Sequence, residues 1–195
     1  MKKTLSKTKK SPVCRPKCGV CPKGRTAASG PYTSTVMEHF SKPHNYGKMK
    51  NPDGVGKVGN LVCGDVMWLY VKVAKNKAGK EIIKDIKFET FGCVAAIATS
   101  SAITDLAKGK TLEDAIAIDK QEIVQSLGGL PPIKLHCSVL AADALVEAVY
   151  DYYAKQSRAI PKELEEKHRR IKKEKDIVEE KYKDWVAREE EIHGK

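Results

Sequence analysis

No run of apolar residues in this sequence approaches the ~20 that a membrane-spanning helix needs, and its first residues lack the apolar stretch of a secretory signal. No membrane partner is expected. A cytoplasmic protein is the expectation; a mitochondrial or related organelle is the alternative, because the leading segment is basic and contains Ser and Thr. Acidic residues are missing altogether from residues 1–31, which hold nine Lys and Arg. Residues 32–157 carry 15 basic against 14 acidic side chains and residues 158–195 carry 12 against 11, so the net charge of +11 resides almost wholly in the leading arm. A basic folded face would argue for nucleic acid. Charge confined to an arm, with no aromatic stacking platform or groove-reading helix behind it, makes that partner unlikely. Sizeable apolar side chains are also scarce in the arm, where Leu5, Val13 and Val20 nearly complete the set. Burial there cannot offset the entropy of ordering, and the arm reads as disordered unless a metal organises it. Cysteine is limited to six positions, and without an export signal these are metal ligands or reactive thiols before they are disulfides.

What remains is enough for one core. The chain divides into the arm (1–31), one compact domain (32–157) and a charged helical extension (158–195), with an antiparallel pair of strands, open to a third, among several helices. Residues 33–40, capped by Thr33 or Ser34 and stopped by Pro43, form a short amphipathic helix. Residues 44–60 are dense in Gly, Asn and Pro and read as loop. Two strands follow at 66–74 and 81–90 with a hairpin turn between them. A helix over 93–108, with Ile97 and Ser101 inward, ends at Gly109; Thr111 and Asp119 cap two shorter ones. Pro131 and Pro132 impose an extended, exposed connection before a long helix from His136 to Gln156. In the extension Leu164, Ile171, Val178, Trp185 and Ile192 recur every seven residues. With Tyr182 only partly filling the second heptad position, the seam fits a helix docked on its own domain better than a homodimeric coiled coil, which stays open.

Cys63, Cys93 and Cys137 each stand where a loop meets an element, and helix N-termini lower a nearby thiol's pKa toward the metal-binding thiolate. Asp65 follows Cys63 by two residues and His136 precedes Cys137. If the junctions converge, S, O and N donors surround one metal centre. Stable iron-sulfur proteins use four thiolates, so three with a weaker fourth donor make an exchangeable site; zinc accepts the same donors. In the arm, Cys14, Cys18 and Cys21 share the spacing of the cluster motif of radical S-adenosylmethionine enzymes, but the remaining chain is too short and wrongly patterned for their barrel. The reading is an accessory metal or cluster site, with an adventitious Cys-rich tail as the alternative.

Five strings in order, YTSTVMEHFSKPHNYG from Tyr32, CGDVM from Cys63, FGC ending at Cys93, LPPIK at Leu130, Pro131, Pro132, Ile133 and Lys134, and LHCSVLA from Leu135, closely resemble the IscU-type scaffolds, also found as the N-terminal part of NifU. The resemblance covers residues 32–153. It implies a SufE/NifU-like α+β fold, with a small antiparallel three-stranded sheet packed against several helices, and a scaffold without turnover of its own, on which a labile 2Fe-2S cluster is built from iron and desulfurase-derived sulfur and passed to apo iron-sulfur proteins. By motif, Cys63, Cys93 and Cys137 would be thiolate ligands, Asp65 would tune lability or bind metal, His136 would be an alternative ligand, and Cys137 would be the first sulfur acceptor. The implied partners are a cysteine desulfurase, a ferredoxin, and an HscA-type ATP-driven chaperone with its J-type co-chaperone, gripping residues 130–134. The alternative is a SufU-like zinc-binding sulfur-transfer partner of a desulfurase; such relatives carry an insertion between the second and third cysteines and lack the histidine, whereas Cys93 and Cys137 here are 44 residues apart and His136 is present. Zinc in the apo form is retained as an option.

Overall fold

The computed structural model describes residues 30–60 and 63–193, without the side chains of 178, 179, 181, 182 and 184–193. Cys14, Cys18 and Cys21, and the side chains of Val178, Tyr182, Trp185 and Ile192 in the heptad seam, therefore lie outside the described residues. The elements run α1 (Ser34–Ser41), β1 (Gly54–Asn60), β2 (Asp65–Lys75), β3 (Glu81–Phe91), α2 (Val94–Ala107), α3 (Leu112–Ile116), α4 (Lys120–Ser126), a 3-10 turn (Pro132–Lys134), α5 (His136–Lys155) and α6 (Lys162–His193). The three strands form one antiparallel meander in the order β1-β2-β3. The α+β class and the three-stranded sheet expected from the sequence are present.

Strand β2 shows how the sheet is set. Its β-branched and aromatic residues favour the pleated state, and side chains two apart share a face. Asp65, Met67, Leu69 and Val71 are all buried, so the face that builds the core begins with a carboxylate. Helix α5 packs on β1 and β2, while α2 packs on β3 and α5. The composition of α2 suits its central place: Ala, Ser and Thr dominate, ten of its residues are buried, and small side chains let it be covered on several sides. Ile97 departs from expectation; it is only half-buried, and Ala98, Ala102 and Ile103 fill the core instead. Thr33, Thr111 and Asp119 cap α1, α3 and α4, each accepting backbone N–H bonds through its side chain.

Two further expectations fail for identifiable reasons. The stretch 44–60 is not all loop, because Gly54–Asn60 is strand β1. Glycine weakens a strand on its own, yet here it admits a neighbour: a Cβ on Gly56 would collide with Ala144 O and lie 2.7 Å from Ala148 N, both in the α5 backbone. The segment 130–134 is not extended throughout. Pro131 is extended (φ −56°, ψ 140°), but Pro132 then occupies the first position of a 3-10 turn, where its missing N–H costs nothing. Exposure there is uneven: Ile133 is 78% exposed, whereas Leu130, Pro131 and Lys134 are half-buried.

Helix α6 joins the domain through its first half. Leu164 and Ile171 lie in the core, Arg170 donates to Asp143 at 2.9 Å, and His168 stacks on Tyr150 at 3.6 Å between ring centroids.

Candidate metal centre

Three junctions of the chain meet at one end of the sheet. Before β2, the chain turns through Cys63 and Gly64; Gly64 has φ +72°, a left-handed conformation that glycine adopts without steric cost, and Asn60 O accepts from Gly64 N–H at 2.8 Å. Between β3 and α2, Cys93 is the N-cap of α2 with extended backbone. After the 3-10 turn, Cys137 is the second residue of α5. A Thr99 bond ties the last two together, its hydroxyl lying 2.9 Å from Ala95 O within α2 and 3.2 Å from Cys137 O at the start of α5.

Asp65 is the hub. It is only 4% exposed and accepts from Cys93 N–H at 3.3 Å. Its other carboxylate oxygen lies 4.0 Å from Cys93 Sγ and 3.7 Å from Cys137 Sγ, and the two sulfurs are 3.9 Å apart. Two donor sets overlap on it, Asp65 with Cys93 and Cys137, and Asp65 with Cys63 and His136; within each, the ligand atoms all lie within 4.8 Å of one another. All five residues singled out from the sequence are thus brought together. Gly92 makes the approach feasible, since a Cβ there would sit 2.8 Å from Asp65 Oδ1 and 2.8 Å from Ala96 Cβ.

The electrostatics differ from the expectation of lowered thiol pKa values. Burial, then the neighbouring Cys93 and Asp65, push the Cys137 thiol well above its ordinary value, outweighing any contribution from the helix end. Partial burial raises Cys63 as well. These thiols are therefore protonated near neutral pH until something replaces the proton. His136 supplies a complementary signal: its Nε2 is buried with no hydrogen-bond partner among the described residues, a state that costs roughly 1–3 kcal/mol unless the nitrogen finds a ligand. Buried thiols, a carboxylate and a bare imidazole nitrogen are a donor set that iron or zinc relieves by displacing protons and accepting the lone pair.

Two further residues border the site without having been linked to it from the sequence. Cys93 foremost holds the Lys134 amine above its ordinary value, so this lysine faces the thiols as well as belonging to the 130–134 segment. Tyr32 is raised by burial and then by Cys93, and it packs with Leu130 against Ala95, Ala96 and Cys137. The only signal was position: Lys134 stands three residues before Cys137 and Tyr32 opens the first matching string. Outside the donors, Phe91 is 77% exposed, and a groove of about 640 Å³ between β1, α5 and α6 reaches His136.

Residues 31–159 match the model of the NifU-like N terminal domain, and the chain belongs to that family. Two Archaeoglobus fulgidus proteins named iron-sulfur cluster assembly scaffold protein IscU 1 and IscU 2 are each 54% identical to it over 127 residues, 65% of this chain and 80% of theirs. The Haemophilus influenzae protein named iron-sulfur cluster assembly scaffold protein IscU is 48% identical over 128 residues, 64% of this chain and 98% of its own; the Azotobacter vinelandii protein of that name is 49% identical over 64% of this chain and 96% of its own. Among the described residues no helix is long and apolar enough to cross a membrane.

Proposed function

We propose that this chain is a scaffold on which an iron-sulfur cluster is assembled and from which it is passed to recipient proteins, with Cys63, Cys93 and Cys137 as thiolate ligands and Asp65 and His136 as the weaker donors beside them. The observation that carries the reading is the convergence of Cys93, Cys137 and Asp65 within 4.0 Å, next to a buried imidazole nitrogen without a partner among the described residues. A 2Fe-2S core suits a compact site with three sulfurs, and a carboxylate or imidazole in the fourth place holds it less firmly than a fourth thiolate, which favours release.

Sulfur enters by exchange. The Cys137 thiolate attacks the terminal sulfur of a desulfurase persulfide, the donor's S–S bond breaks, the donor cysteine leaves as thiolate, and Cys137 retains the sulfane sulfur as a new persulfide. Each sulfane sulfur must gain two electrons to become sulfide; two irons passing from ferrous to ferric supply half for a two-sulfur core, and a ferredoxin-class reductant supplies the rest. The raised Cys137 thiol makes this attack slow until iron or the docked donor strips its proton. The exposed Phe91 and Ile133, two residues before Cys93 and four before Cys137, offer apolar contact to partners. Residues 130–134, anchored at Leu130 and Lys134 and open at Pro132 and Ile133, fit a peptide-gripping chaperone of the HscA type, which would draw Cys137 away from the other ligands during transfer.

The test is anaerobic reconstitution with a desulfurase, cysteine and ferrous iron, followed by visible absorption and by iron and sulfide analysis. Cys63→Ala, Cys93→Ala and Cys137→Ala should each lose the cluster, and Asp65→Ala should slow its transfer to an apo-ferredoxin. A cluster of parental stoichiometry in all three cysteine variants, or bound zinc with no visible chromophore in the parent, would refute the assignment.

A further inference from the structure

A second group of metal-type donors lies away from the thiols. His39 on α1, His44 in the following loop and Asp105 near the end of α2 place one ligand atom each within 4.8 Å of the others. Asp105 is twelve residues beyond Cys93, about 18 Å along a helix at 1.5 Å per residue, so this group cannot share the ion held at the cysteines. We propose that His39, His44 and Asp105 form an independent site for a divalent first-row transition-metal ion, bound by two imidazoles and one carboxylate.

The surroundings fit. His39 Nδ1 is 2.8 Å from Ser101 Oγ, which also accepts from the His44 backbone N–H at 2.8 Å. In the tautomer in which Nδ1 carries the proton, Ser101 fixes the ring and Nε2 keeps its lone pair, the arrangement in which a ligating histidine is oriented by its other nitrogen. Burial, and then the neighbouring His44, lower the His39 pKa, which keeps that imidazole neutral and able to coordinate. The two rings are 4.8 Å apart and tilted by 53°, so they converge and do not stack. Asp105 is held from one side by Asn45 Nδ2 at 3.2 Å, while its other oxygen meets His44 Nδ1 at 2.6 Å. The His44 and Asp105 side chains are 49% and 41% exposed, which leaves them free to close the remaining gap to metal-ligand distances of roughly 2.0–2.2 Å. Two nitrogens and one oxygen select zinc, ferrous iron or their neighbours over calcium or magnesium. Such an ion would tie α1 and its loop to α2, joining the opening of the domain to its central helix. The proposal is independent of cluster assembly.

The probe is zinc, added to the full-length chain labelled for NMR after the thiols have been blocked by alkylation. The ring resonances of His39 and His44 should shift together and saturate at one equivalent, the domain's melting temperature should rise with zinc, and magnesium should do neither. Asp105→Asn and His44→Ala, whose side chains are half-exposed, should each weaken zinc binding at least tenfold while cluster reconstitution on the unblocked chain stays unchanged. Since alkylation of the buried Cys137 could perturb folding, the same titration is repeated on the unblocked chain with zinc beyond that taken up by its thiols. Failure of both rings to shift in either titration, or equal zinc affinity in parent and both variants, would overturn the site.

Discussion

Gly56→Ala tests how the candidate metal centre is held from behind. The backbone of Gly56 lies outside the left-handed region, so alanine meets no conformational objection there and any cost is steric. Its Cβ would strike Ala144 O and sit 2.7 Å from Ala148 N and 3.0 Å from Ala144 C, all backbone atoms of α5 with no rotamer to relax. Ordinary contact begins near 3.5 Å, so α5 must retreat by roughly 1 Å or β1 must buckle, an overpacking that costs about 3 kcal/mol at the upper end of the usual range. Gly59→Ala, on the same strand, is the control. Its Cβ would have Asp65 O at 3.7 Å and Val66 Cγ2 at 3.8 Å, ordinary contacts, and removal of unfolded-state freedom should stabilise it by about 0.5 kcal/mol. That unfolded-state contribution is common to both variants, so the difference between them isolates the clash. Urea unfolding should separate the two by about 3 kcal/mol, and thermal melting by about 6–12 °C for a chain of this size. Because α5 begins at His136 and carries Cys137, Gly56→Ala should also hold less cluster after reconstitution, whereas Gly59→Ala should match the parent. Equal stability of the two variants within about 0.5 kcal/mol would refute the close packing of β1 on α5.

Thiol mapping should show Cys63, which is exposed, alkylated well before Cys137, which is buried; Asp65→Asn removes a negative charge that raises the Cys137 thiol and should speed its modification at pH 8, as read by peptide mass. Burial lifts the Asp143 carboxyl to about 6 despite Arg170, above its unfolded value near 3.9. A carboxyl raised on folding favours the folded state below its unfolded pKa and loses that advantage as pH climbs through the folded one. The parent should therefore lose about 2–3 kcal/mol relative to Asp143→Asn between pH 4 and pH 6 and little more above, measured by urea unfolding at each pH. A difference that stays flat across that range would show Asp143 to be ionised throughout.

Local chemistry was sufficient for much of this protein. The β-branched runs of β2 and β3, the hairpin turn between them, the caps at Thr33, Thr111 and Asp119, and the stop at Gly109 all depend on neighbours in the chain, and the sequence contains those neighbours. The five candidate ligands that the fold brings together were noticeable too, since cysteines at element junctions and an ordered set of strings need no coordinates to be seen. Packing decided the rest. Strand β1 was hidden because glycine reads as loop until an α-helix is found pressed against it, and the turn at Pro132 was hidden because its fate rests on where α5 begins. The Cys137 thiol pKa ran opposite to the helix-end argument, as burial depth there is a property of α2, β2 and α5 together. Whether Asp65 was a turn residue or the buried hub of the centre depended on which face of β2 the helices cover. Sequence carries local preferences at full strength, but desolvation and steric exclusion are sums over residues far apart in the chain, and they take definite values only once the chain is folded.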